Sequence, residues 1–135
     1  MFVFRIDEKN KLVHVEIAGI MSVSEVERFN EELLANASAA RRLFGSFRFL
    51  VDARLCPVQP AETIGSFKLP HEVLKGGDDR YAVVLGSTLS KLQANRLSDD
   101  DRVRAFLSMD DAEAWLSGCA PSAGSEDESA PLKQA

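Results

Sequence analysis

The chain has 135 residues, 45% of them hydrophobic and 27% charged, with a formal net charge of −5. That length suits one domain with a core large enough to fold without staples. The mild acidity argues against a nucleic-acid partner, which needs a concentrated basic face. Its two cysteines, Cys56 and Cys119, lie far apart without companion ligands, so neither a disulfide framework nor a zinc site is expected. They read as free thiols of a reducing, cytoplasmic compartment.

Phe2, Phe4 and Ile6 alternate with Val3 and Arg5, the period-2 pattern of a strand. Asp7 and Glu8 follow at once and no basic stretch precedes, so this apolar start reads as a strand rather than a signal peptide. No apolar run approaches the roughly 20 residues of a membrane span. After a polar turn at 7–10, Val13, Val15 and Ile17 alternate with His14 and Glu16 and stop at Gly19, which completes an antiparallel hairpin.

A long helix comes next. Ser22 with Glu25, or Ser24 with Glu27, has the spacing of a capping box. Val26, Phe29, Leu33, Ala37 and Ala40 recur at helical spacing as its buried stripe, and Gly45 ends it. Residues 46–53 form a third strand. Pro57 and Pro60 then break the chain, and a helix can begin at Pro60 or Ala61. Gly65 and Pro70 predict an irregular or two-piece helix that buries Ile64, Phe67 and Leu74 and ends at Gly76-Gly77.

Residues 81–85 are apolar without interruption, as in a central strand covered on both faces. Gly86-Ser87-Thr88 leads into a helix expected to bury Leu89, Leu92 and Leu97. Residues 103–107 form the last strand, and Asp110 is expected to cap a last helix with Ala112, Trp115 and Leu116 facing inward. From Gly118 the chain is Ser-, Ala-, Pro- and acid-rich, so 118–135 reads as a disordered tail behind a domain of residues 1–117. The expected fold is a single α/β domain with a mixed sheet, in the order β-β-α-β-α-β-α-β-α. The N-terminal hairpin is antiparallel and the later strands are parallel through right-handed crossovers.

No residue set converges on catalysis or metal binding. Asp52, Asp78 and Asp79 invite a receiver-type phosphoaspartate site, but the early acidic pair and late lysine of such a site are missing, so they read as turn residues. His71-Glu72 lacks a second histidine, and His14 sits on a strand alternation. Cys56 would need a nearby cation such as Arg54 to be reactive. Arg102 and Arg104 read as charged edge residues. Gly86, Ser87 and Thr88 are the best candidates for ligand contact, because crevices in α/β sheets open at strand C-termini. The apolar, hinge-flanked segment 64–74, with Phe67, is the candidate cover of a cavity or a partner surface.

The run Arg102-Val103-Arg104-Ala105-Phe106, followed by Asp110-Asp111-Ala112-Glu113-Ala114-Trp115-Leu116, resembles the end of the SpoIIAA-like family of small bacterial domains. That family is related in fold to the STAS domains of anti-sigma-factor antagonists. Val51-Asp52-Ala53-Arg54 is compatible with its middle, and the resemblance spans residues 2–116. It implies a regulatory, ligand-binding or protein-interaction domain, and a similarity of the family to lipid-binding CRAL-TRIO folds has been suggested. Antagonists carry a phosphoacceptor serine just beyond the Asp of the middle strand. Here Asp52 is followed by Ala53-Arg54-Leu55-Cys56-Pro57, which leaves Thr63 and Ser66 as substitutes.

The leading expectation is therefore a non-enzymatic regulatory or interaction module without cofactor. Its partner would be a protein or an apolar small molecule, Asp52, Arg54, Phe67, Gly86, Ser87 and Thr88 are its candidate ligand contacts, and an uncovered sheet face or edge leaves room for a homodimer. One alternative is an anti-sigma antagonist phosphorylated at Thr63 or Ser66. Another is an enzyme using Asp52, Arg54, Cys56 and His71 around a strand-end cleft.

Overall fold

The computed structural model describes residues 1–67, 74, 78–96 and 100–118. His71, Leu97, Cys119, the Gly76-Gly77 stop, the second half of the 64–74 segment apart from Leu74, and the tail beyond Gly118 lie outside the described residues. Five strands form one sheet in sequential order: β1 (Phe2–Asp7), β2 (Leu12–Ala18), β3 (Arg48–Leu55), β4 (Arg80–Leu85) and β5 (Val103–Phe106). β1 and β2 pair antiparallel, and every later pair is parallel. The hairpin turn is closed by Asp7, whose carboxylate accepts from the Asn10 backbone at 3.1 Å and side chain at 2.9 Å. Those bonds lower the Asp7 carboxyl from 3.8 to about 2, with His14 Nε2 at 3.0 Å adding a smaller contribution.

The helices are α1 (Val23–Phe44), α2 (Ala61–Ser66), α3 (Thr88–Asn95) and α4 (Met109–Leu116). A sheet laid down in one direction by right-handed crossovers keeps its connecting helices on one face. The α1 stripe, Phe67 after α2 and Ala94 of α3 all pack into one core with Val13, Val15, Phe49, Val51 and Tyr81. α4 is followed by no further strand among the described residues and takes the other face. There Ala112 and Leu116 pack with Leu50, Ala82, Val84 and Phe106. β3 and β4 are thus covered twice, which explains their continuous apolar runs.

Ser22 caps α1, its hydroxyl accepting from the Glu25 backbone at 3.1 Å, and Gly45 closes it at φ 79. Val26, Phe29, Leu33, Ala37 and Ala40 are its buried residues. Phe29 is held edge-on to Phe2 at 5.4 Å and lies 5.3 Å from Phe4, so the hairpin edge is tied to α1 by aromatic contacts. The C-terminal end of α1 is locked by Asp79, which is fully buried and accepts from Arg41 at 2.9 Å and from the Phe47 backbone at 3.0 Å.

Two sequence expectations fail. Leu89 and Leu92 do not face the core: they are 63% and 40% exposed, while Ser90 and Lys91 are buried. α3 turns its Ser90, Gln93 and Ala94 side toward the sheet, and that side borders a cavity instead of a tightly filled core. Asp110 does not cap α4. Ser108 does, accepting from the Asp111 backbone at 3.2 Å, which moves the helix start back so that Asp110 and Asp111 fall in the first turn, where the helix dipole favours acids. Trp115 does pack on that core, 5.7 Å from the Phe106 ring, but is only half-buried, and Arg80 and Arg104 lie over its ring at 5.2 and 5.3 Å.

Candidate functional site

The space between the sheet and the α2–α3 side holds a mainly apolar cavity of about 100 Å³. Val51 and Ala53 of β3, Tyr81, Val83 and Leu85 of β4, and Val103 and Ala105 of β5 form its floor. Ile64 of α2, Phe67, and Ser90, Gln93 and Ala94 of α3 cover it. The strand alternation that sends Val51 and Ala53 to this face sends Asp52 and Arg54 to the other.

The cover is fastened by Gln59, which sits between the two prolines and is 8% exposed. Its Oε1 accepts from the Met21 backbone at 2.9 Å, and its Nε2 donates to the carbonyls of Pro57 at 2.9 Å and Gly19 at 3.2 Å. Gln93 of α3 grips the Gln59 backbone twice: its Oε1 accepts from the N–H at 3.0 Å and its Nε2 donates to the carbonyl at 2.9 Å. Thr63 adds a bond to the Met21 carbonyl at 2.9 Å. The β2–α1 and β3–α2 connections and α3 are thereby joined through amides whose donors and acceptors are well used.

Two polar groups in the walls differ from this pattern. Tyr81 is 3% exposed and Ser90 is 5% exposed, and neither hydroxyl has a hydrogen-bond partner among the described residues. No fully enclosed side-chain nitrogen or oxygen among the described residues lacks a partner. These two hydroxyls therefore retain open surface, and both residues line the cavity. Tyr81 is stacked on Phe49 at 5.7 Å, which fixes its ring, and burial raises its phenol well above the ordinary value. Cys56, also in the wall, is pushed by burial from 9.0 to about 11 and is a neutral thiol. Lys91, buried on α3 with its ammonium disfavoured by desolvation, is not part of the lining.

Of the residues singled out from the sequence, Phe67 lines the cavity. Asp52 and Arg54 pair with each other, Nη2 to Oδ2 at 2.9 Å, and the guanidinium holds the Asp52 carboxyl below its ordinary value. Gly86 packs on Arg54: a Cβ there would lie 2.5 Å from the Arg54 carbonyl oxygen. Ser87 caps α3, its hydroxyl accepting from the Ser90 backbone at 3.1 Å, and Thr88 is exposed. Ser66 donates to the Glu62 carbonyl at 2.9 Å, and phosphorylation of the buried Thr63 would require the start of α1 to unpack. Of the acid–base set Asp52, Arg54, Cys56 and His71, the first two pair with each other, Cys56 is in the cavity wall, and His71 lies outside the described residues. Among the described residues no three His, Cys, Asp or Glu side chains are grouped to hold a metal ion, and no helix is long and apolar enough to cross a membrane.

Tyr81, Ser90, Gln59 and Gln93 were not singled out by sequence. The one available signal was Gln59 between Pro57 and Pro60, where a long amide bridges backbone that cannot form regular structure. Comparison of the chain with protein-family models, curated proteins and solved structures gave no match.

Proposed function

We propose that the chain is a non-enzymatic binding module of the SpoIIAA-like, STAS-related kind, which holds a small, mainly apolar molecule between its sheet and α2–α3. The observation that carries this reading is the cavity itself. Cores are ordinarily packed without voids much larger than a water molecule, and an unfilled cavity costs stability. Here about 100 Å³ is left open under a cover fastened by Gln59 and Gln93. Asp52 and Arg54 are engaged with each other and the Cys56 thiol is held neutral by burial, which favours binding over acid–base chemistry. Ligand occupancy would stabilise the α2–α3 side and so report to a protein partner, a regulatory role consistent with the family resemblance and with a cytoplasmic chain.

Native mass spectrometry of the chain isolated from its source cell tests the reading. A retained small molecule, lost on unfolding, is expected. A bare chain mass across growth conditions would contradict it.

A further inference from the structure

Resting on that reading of the cavity, we infer that its ligand is an uncharged molecule of about four to six non-hydrogen atoms, bearing a carbonyl or hydroxyl group that hydrogen-bonds to the hydroxyls of Tyr81 and Ser90. The size follows from the volume. An apolar cavity of about 150 Å³ admits benzene, and this one is about 100 Å³.

The need for a polar group follows from the walls. Tyr81 and Ser90 come from different elements, a floor strand and a covering helix, and each is more than nine-tenths buried without a partner among the described residues. With surface left open and no protein partner among the described residues, each hydroxyl can be satisfied only by what enters that space, water or ligand. Gln59, Thr63 and Gln93 nearby are hydrogen-bonded, so the surroundings are not careless about polar groups. A ligand that supplies an acceptor or hydroxyl completes the pair.

The need for neutrality follows from the described lining. Among the described residues its ionisable members are Cys56, Tyr81 and Arg104. The first two are held in their neutral forms by burial, and the Arg104 guanidinium lies over Trp115, in contact with the opposite core. Among the described lining residues an entering ion would meet no charge but that of Arg104, which is engaged over Trp115, and would lose its hydration.

The test uses the full chain and four probes: cyclopentanone, its apolar counterpart cyclopentane, and the charged butanoate and butylammonium. Binding is read from methyl NMR shifts of Ile17, Val51, Val83 and Leu85. Cyclopentanone is expected to bind about tenfold more tightly than cyclopentane, and the two ions not at all. Tyr81→Phe and Ser90→Ala remove the hydroxyls while leaving the cavity nearly unchanged. Each is expected to weaken cyclopentanone about 5–10-fold, the effect of one hydrogen bond, without weakening cyclopentane.

Tyr81→Phe should also leave the melting temperature of the free chain unchanged or raised, because no existing bond is lost. A lowered melting temperature would mean that the hydroxyl is structural. Equal binding of ketone and hydrocarbon, insensitive to both substitutions, would overturn the polar-recognition inference and leave the cavity reading standing. If no probe moved the cavity methyls, both would fall.

Discussion

Gln93 holds the backbone of Gln59 with both ends of its amide, accepting from the N–H at 3.0 Å and donating to the carbonyl at 2.9 Å. A side chain on α3 thereby replaces the backbone ladder that Gln59, between two prolines, cannot join. Gln59 in turn grips Gly19, Met21 and Pro57. Gln93→Leu keeps similar bulk but leaves both backbone groups unpaired. A destabilisation of about 1–3 kcal/mol is expected, read as a lower urea midpoint at unchanged slope. Amide exchange should quicken first at Val58 and Gln59. An unchanged midpoint would show that the clasp is incidental.

Asp79 is fully buried and holds both Arg41 and the Phe47 N–H. Breaking one side of a buried pair leaves the other uncompensated. The Arg41 side chain is 32% exposed and is partly rehydrated when its partner goes. Asp79→Ala should therefore cost about 3 kcal/mol, near the low end for such pairs, with Asp79→Asn costing less because its amide oxygen still accepts from Phe47. Chemical denaturation of the two variants measures this, and equal losses would contradict the assigned role of the Phe47 hydrogen bond.

Two glycines should respond in opposite directions. At Gly86 a Cβ meets the Arg54 carbonyl oxygen at 2.5 Å, so the two connections must move apart. Gly86→Ala is expected to lose about 1–3 kcal/mol, as overpacked sites do. At Gly65, within α2, a Cβ meets nothing within 4 Å. Gly65→Ala should gain about 0.5–1 kcal/mol through helix propensity. Thermal melts of both variants decide the matter, and a stabilising Gly86→Ala would remove the close approach from the account.

Cys56 supplies a pH signature. Burial raises its thiol from 9.0 to about 11, so the folded state prefers the neutral form. Its contribution to stability is complete below pH 9 and is lost as the pH rises from about 9 through 11. In a Cys119→Ser chain at pH 8, iodoacetamide should modify folded Cys56 about 100-fold more slowly than the urea-unfolded chain, in proportion to the thiolate fraction. Equal rates would mean that the thiol is not held in the wall as described.

Much of the fold was legible because its signals are local. The α1 stripe of Val26, Phe29, Leu33, Ala37 and Ala40, its Gly45 stop and the alternation of β1 and β2 each follow from spacing alone. α3 was misread because Leu89 and Leu92 were assigned to the core by hydrophobicity, whereas the helix turns Ser90 and Gln93 toward a space that is not filled. The cap of α4 was misplaced because Asp110 and Ser108 are both good capping residues, and only backbone geometry chooses between them. Phe67 was found through its apolar, hinge-flanked surroundings. Tyr81 read as one more residue of an apolar strand, and its unpaired hydroxyl exists only once β4 is laid beneath α2 and α3.

The central claim is that the space under α2 and α3 is a binding site. Its most direct test is a methyl NMR titration of the full chain with cyclopentanone. Saturable shifts are expected at Ile17, Val51, Val83 and Leu85, while the exposed Val3, Leu34 and Leu43 stay still. Cavity methyls that do not move, or shifts confined to the exposed residues, would contradict it.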